Sequence, residues 1–241
     1  AAHVFVLAVC VTCVLLGFWQ LSRLQERRLE NRIFSARLEA EPLPLEEMLA
    51  GAGDDIDSLE YRRTVVTGTY LSDREVLIRS QVFDGQAGFD GVPPLALLRV
   101  RAGAVDRGWV PLEFDQVPVR AAAPPAGEVT VEGIVRISRE GRGDERAGPI
   151  FTRVDLDQIG RYAGLDLGRV YVAVVGDPDP TALPVVNPLP DLTDEGPHLS
   201  YAIQWFAFAV VGAIGYAFLR RRAARRSGER DGETGDDLGA G

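Results

Sequence analysis

Lysine is absent from this chain; all 26 of its Lys+Arg residues are arginine. That rules out a Walker-type phosphate loop, whose lysine reaches the nucleotide. Cysteine and histidine are scarce, two of each in 241 residues. No Cys/His zinc set can be built between the apolar ends, and nothing there depends on a disulfide. The formal charge of −9 argues against nucleic acid as a partner, because phosphate contacts need basic surface. H-E-x-x-H and G-x-S-x-G are missing, and no pair of carboxylates is marked out by its neighbours. The expectation is a protein that is not an enzyme.

Charge is also missing locally. Residues 4–19 and 201–219 hold no Asp, Glu or Arg. A membrane-spanning helix needs about 20 apolar residues, so each run reads as a span. The stretch "GFWQLSRLQERR" offers no small-residue cleavage site, so the first run reads as an uncleaved anchor. Cys10 and Cys13 fall inside it as "CVTC". A thiolate is disfavoured in hydrocarbon, so they read as small apolar fillers, with a metal or haem contact as the alternative.

Arginine placement sets the expected orientation. "RRRAARR" follows the second run with five arginines in seven residues. On its other side, from Val170 onward, stand Asp177, Asp179, Asp191, Asp194 and Glu195 and no arginine. The expected plan is a multi-pass cell-membrane protein with both termini cytoplasmic. Residues 1–21 form the first transmembrane helix and 22–197 an extracytoplasmic domain. Residues 198–219 form the second helix, and 220–241 a basic, then acidic and disordered, tail. Arg23, Arg27, Arg28 and Arg32 then sit on the wrong side for positive charge, only partly offset by Glu26 and Glu30.

The spacing of Leu21, Leu24, Leu29 and Ile33 predicts that the first helix continues to about Glu39, where Pro42 and Pro44 end it. "PLEEML" reads as a helical turn or two. "YRRTVVTGTYL", "EVLIRSQVF", "LALLRV", "AVDRGWVPL", "EVTVEGIVRI" and "RVYVAVVG" read as six strands, with Gly68 a bulge or close contact. "DGQAGFDGVPP" and "GRGDERAG" read as loops. "DLDQIGRYAG" reads as a helix capped by Asp155 and stopped at Gly164. A proline-rich strap, "DPDPTALPVVNPLPDLTDEGP", returns the chain to the membrane. The fold class is two transmembrane helices flanking one α+β domain, its sheet mostly antiparallel.

On the second span His198, Tyr201, Ala202, Trp205, Phe208, Ala209, Gly212 and Tyr216 share one broad helical face. An aromatic belt at the membrane interface is one reading. A haem site is the other, with His198 as axial ligand to the iron and Tyr201 and Trp205 packing the macrocycle. Arg23 and Arg27 lie four apart at the same interface, placed to meet anionic propionates or simply Glu26, Glu30 and the acidic strap.

"GFWQLSRLQER" (17–27), "DRGWVP" (106–111) and "GPHLSYAIQWFAFA" (196–209) resemble, in order, the three motifs of the Surfeit locus protein family. The arginine bias suits a bacterial member. That resemblance implies an assembly factor for haem-copper cytochrome c oxidase. Such a factor binds haem A and helps insert it into the catalytic subunit, with that subunit, haem A synthase and the lipid bilayer as partners. It carries the haem role to His198 and the first motif's role to Trp19, Gln20 and Arg23. Arg27 stands where the family often has lysine, and Asp106 where it often has asparagine. Arg107 and Trp109 read equally as fold residues. The alternative function is a membrane-anchored scaffold that binds oxidase subunits without haem.

Overall fold

The computed structural model describes residues 2–92, 94–97, 102–140 and 148–236. In chain order come α1 (Ala2–Glu39), β1 (Leu43–Pro44), α2 (Leu45–Ala52), β2 (Arg63–Tyr70), β3 (Val76–Phe83), β4 (Gln86–Val92), β5 (Pro94–Leu97), β6 (Ala102–Asp106), β7 (Gly108–Pro111), β8 (Glu128–Ile137), β9 (Ile150–Phe151), α3 (Leu156–Ala163), β10 (Val170–Ala173), β11 (Val175–Gly176), β12 (Asn187–Pro188) and α4 (His198–Asp236). They form two compact units, Ala1–Arg32 with Leu192–Gly241, and Ile33–Asp191. The polar loop read at 141–147 and the end of the strand read at 95–100 lie outside the described residues.

The first unit is an antiparallel helix pair. Two helices, His3–Glu39 and His198–Arg222, are long and apolar enough to cross a membrane, with mean hydropathies of 2.4 and 1.8 over their most apolar stretches. Cys10, Cys13, Gly17, Gln20 and Leu24 recur at alternating spacings of three and four, which keeps one seam of α1 against its neighbour. Across it lie Ala202 and Ala209, both buried. Small residues set the approach: a Cβ on Gly17 would stand 2.5 Å from the Phe206 ring, and one on Gly212 would stand 3.2 Å from Cys10 Sγ. The two cysteines are therefore seam residues, Cys13 buried and Cys10 Sγ 3.7 Å from the Ala209 carbonyl. Helix α4 continues to Asp236. The acidic tail read as disordered is thus helical through that residue.

The second unit is built on a closed barrel. Strands β2, β5, β6, β10 and β8 pair in that order, and β8 pairs back with β2. Valines 66, 105, 135, 170 and 172 fill it, and Leu45 and Met48 of α2 pack into the same core. Burying each such side chain contributes about 1.5–3 kcal/mol. The last turns of α1 belong to this unit: Phe34 packs on Tyr61 at 4.5 Å, and Arg37 donates to the Glu60 carbonyl at 3.0 Å.

A second sheet runs β7-β4-β3-β9, with α3 packing Leu156 and Ile159 onto Val76, Ile78 and Phe151. Helix α3 begins and ends as its residues dictate. The Asp155 carboxylate accepts from Gln158 N, and Gly164 closes the helix in the left-handed conformation.

The sheets are mixed, which corrects the mostly antiparallel expectation. Strands β1 and β2, β6 and β10, β3 and β9, and β11 and β12 pair in parallel. Two strand readings change as well. "DGQAGFDGV" is not a loop but a tight turn followed by β4. Asp84 and Gly85 both have positive φ, 47° and 75°, the requirement of a two-residue hairpin turn matched to strand twist. "AVDRGWVPL" is two strands, β6 in the barrel and β7 in the second sheet. Gly68 pairs in unbroken register with Val129, without a bulge.

Candidate functional site

His198 opens α4. Its Nδ1 lies 2.9 Å from Gln20 Oε1 of α1. A carbonyl oxygen only accepts, so this contact fits the tautomer with the ring proton on Nδ1, in which Nε2 keeps its lone pair. Metal-ligating histidines use the same division: one nitrogen donates to a fixed acceptor and the other is free for the metal. Gly196, at φ +69°, would bring a Cβ within 3.6 Å of Nε2.

Helical phase distributes the other sequence-predicted residues. Gln20 faces His198, Cys10 faces Ala209 and His3 faces Tyr216 across 5.5 Å. Phe18 meets Phe206 edge-on at 5.3 Å, which marks one flank of the pair. At about 100° per residue, Trp19, Arg23 and Arg27 of α1 fall on the opposite flank. Tyr201, Trp205 and Phe208 of α4 fall on that flank as well. The face read as one stripe therefore divides. Ala202 and Ala209 pack against α1, whereas Tyr201 and Phe208 stay 46% and 58% exposed.

Along the axis the order is chemical. At about 1.5 Å per residue, Tyr201 and Trp205 descend from His198 into the apolar stretch of α4. Arg23 and Arg27 rise from Gln20 in the opposite direction. An imidazole thus stands between an aromatic shelf and a basic one. The arginines hold exposed partners within their own helix, Arg23 with Glu26 and Arg27 with Glu30, the latter at 3.6 Å. Such (i, i+3) pairs contribute about 0.2–0.5 kcal/mol and exchange readily for a better anion.

Sequence reading missed the residues above His198. Arg28 Nε and Nη2 donate to both Glu195 carboxylate oxygens at 2.7 and 2.8 Å, which holds that carboxyl below the usual range. Asn31 is buried, and its side chain donates to the Asp194 carbonyl at 3.1 Å. Arg28 and Asn31 follow Leu24 at spacings of four and three, which keeps them near the same face of α1.

The "DRGWVP" motif is the joint between barrel and second sheet. The Asp106 carboxylate accepts from Gly108 N at 3.0 Å. The Arg107 guanidinium donates to the Ala122 carbonyl and lies over the Tyr70 ring at 5.5 Å. Trp109 is buried against Gly88 and Phe83. Both side chains serve the fold. The strand switch also creates a carboxylate pair that the sequence does not display. Asp90 and Asp106 line one cleft of about 440 Å³ with Gln81, Arg136, Tyr171 and Asn187. Burial, reinforced by Asp106, pushes Asp90 up to about 8, and burial pushes Asp106 up to about 6. Among the described residues, no three His, Cys, Asp or Glu side chains are grouped to hold a metal ion.

Comparison with known proteins gives the family. A SURF1-like protein of Mycobacterium bovis is 29% identical over 231 residues, covering 90% of this chain and 82% of its own. One from Monosiga brevicollis is 30% identical over 244 residues, 93% of this chain and 89% of its own. One from Rickettsia conorii is 26% identical over 216 residues, 86% of each. The SURF1 family description matches residues 7–210, a stretch that holds all three motifs, and the chain belongs to the SURF1 family.

Proposed function

We propose that this protein holds haem A on His198 and assists its insertion into the catalytic subunit of a haem-copper cytochrome c oxidase. Membership of the SURF1 family implies involvement in oxidase assembly. The finer reading rests on one observation, the 2.9 Å contact of His198 Nδ1 with Gln20 Oε1, which suits a ring that keeps Nε2 for a ligand. When bound, haem supplies an iron that accepts an imidazole as axial ligand.

The chain's residues fit that guest. Gln20 fixes the tautomer and ring plane. Tyr201 and Trp205 offer apolar faces on the hydrocarbon side of His198. Arg23 and Arg27 offer planar cations to the propionates on the other side. The acidic strap before α4 and the arginine run that follows its apolar stretch favour an orientation with both termini in the cytoplasm and the His198 end of the helices outside. Haem A synthase is the donor in this scheme, and the oxidase subunit is the acceptor by higher affinity.

Expression in cells that make haem A tests the reading. The full chain purified in detergent is expected to carry a Soret band that His198→Ala loses. A His198→Ala protein that keeps the band sinks the proposal. A colourless wild-type protein that still co-purifies with the oxidase instead supports a scaffold acting without haem. Arg23→Gln and Arg27→Gln are each expected to weaken haem binding about three- to fivefold, the scale of an exposed ion pair. Unchanged affinity in the double variant removes the propionate role.

A further inference from the structure

Three consecutive residues of the strap are pinned just before His198. Asp194 gives its carbonyl to Asn31, and its carboxylate accepts from Gly196 N at 2.7 Å. Glu195 takes the two-pronged grip of Arg28. Gly196 then turns through φ +69°, and Pro197 accepts from Tyr201 N at 3.1 Å as the first turn of α4 forms. The position of the His198 Cα is thus set from above by α1 residues 28 and 31, while its ring is set from α1 residue 20. A histidine side chain free in water favours the proton on Nε2. The opposite tautomer needs both ends of this arrangement, because Gln20 can accept from Nδ1 only if the helix start stands at the right height and rotation.

We infer that Arg28 and Asn31, through Glu195 and Asp194, are positioning residues that hold the His198 ring against Gln20 with Nε2 free to ligate. The inference deepens the haem reading of His198 and rests on it for its purpose. Its geometry is separately testable. A bidentate guanidinium–carboxylate pair fixes direction as well as distance, and lysine at 28 would lose the fork. Asn31 contributes differently: it is a buried amide satisfied by a backbone carbonyl, so its loss leaves that carbonyl unmet.

With only two histidines in the chain, ¹⁵N-histidine NMR of the full protein in detergent reads the tautomer of His198 directly, with His198→Ala assigning the signal. Wild type is expected to show Nδ1–H at His198. Arg28→Gln, Glu195→Gln and Asn31→Ala are expected to shift the population toward Nε2–H at unchanged helix content. The exchanged pair Arg28→Glu/Glu195→Arg is expected to restore Nδ1–H. Titration of the same proteins with haem A should show a parallel loss of about tenfold or more, the usual scale for removing a partner of a ligand histidine, and recovery in the exchanged pair.

A wild-type ring protonated on Nε2, single variants indistinguishable from wild type, or an exchanged pair that fails to recover each overturns the inference. A tautomer that responds to the clamp in a protein that binds no haem leaves the clamp standing and removes the haem reading instead.

Discussion

Gly108→Ala is expected to destabilise the barrel-and-sheet unit by about 3–5 kcal/mol, at the upper end of single substitutions. Two independent costs meet at this position. Gly108 has φ +122°, where an L side chain is strained by about 1–3 kcal/mol. Its Cβ would also stand 2.1 Å from the backbone oxygen of Val185. That neighbour cannot rotate away. Val185 and Trp109 exchange both backbone hydrogen bonds at 2.8 Å, so relieving the clash means lifting the strap from β7 and losing that pair, about 1 kcal/mol for each bond. The measurement is urea unfolding of the full chain in detergent, followed by near-UV circular dichroism, to which buried Trp109 contributes. A Gly108→Ala protein within about 0.5 kcal/mol of wild type, the range of neutral surface substitutions, would show that the strap yields freely and that the joint is not rigid.

Asp90→Asn is expected to reverse the sign of a stability difference with pH. Burial raises the folded pKa of Asp90 to about 8 and of Asp106 to about 6, both above the unfolded aspartate value of about 3.9. The folded protein therefore binds more protons than the unfolded chain between about pH 4 and pH 8. In that window stability falls as pH rises. The pair's contribution is fully present below about pH 4 and is lost as pH climbs through the folded pKa values. The asparagine side chain of this variant carries no charge at any pH and leaves Asp106 without a like neighbour. The variant should lie close to or below wild type at pH 5. At pH 8.5 it should be more stable by about 1–3 kcal/mol, a figure held well under the full 1.36 kcal/mol per pKa unit because the two groups share one proton. Denaturant midpoints of both proteins from pH 5 to pH 9 decide it. Curves that run parallel across that range would mean that burial in the cleft does not raise the Asp90 carboxyl.

The parts of the fold that were legible are those whose cause is local. Charge-free runs, the prolines after Glu39, and Asp155 and Gly164 around α3 each act within a turn or two of themselves. They gave the long helix α1, the helix α3 and the start of α4 at His198. Strand β4 was hidden because glycine and aspartate alternate along "GQAGFDG" where apolar residues would normally announce a strand; only Phe89 turns inward as core. The break at Arg107 was hidden because one backbone rotation at Gly108, not any change of residue class, moves the chain from one sheet to another. Parallel pairing was hidden because it depends on which distant strand arrives alongside, as β10 does beside β6.

The site divides in the same way. His198, Gln20, Arg23 and the aromatics could be marked from their motifs and their helical spacing. The clamp residues Arg28, Asn31, Asp194 and Glu195 could not be paired without the antiparallel register of α1 and α4. Glu195 looked like one more acid in a strap that already had several.

Barrel closure also imposes an order in time. Strand β10 sits between β6 and β8, yet it is made after both. Until it emerges from the ribosome, β6 and β8 each present an unsatisfied edge to whatever is nearby. At about 5–20 residues per second, the wait from the end of β8 to the end of β10 is a matter of seconds, with the strap and the whole second helix still to come. The nascent chain is most exposed to wrong partners in that interval. The unit therefore closes only after β10 is made, and then waits for its second helix.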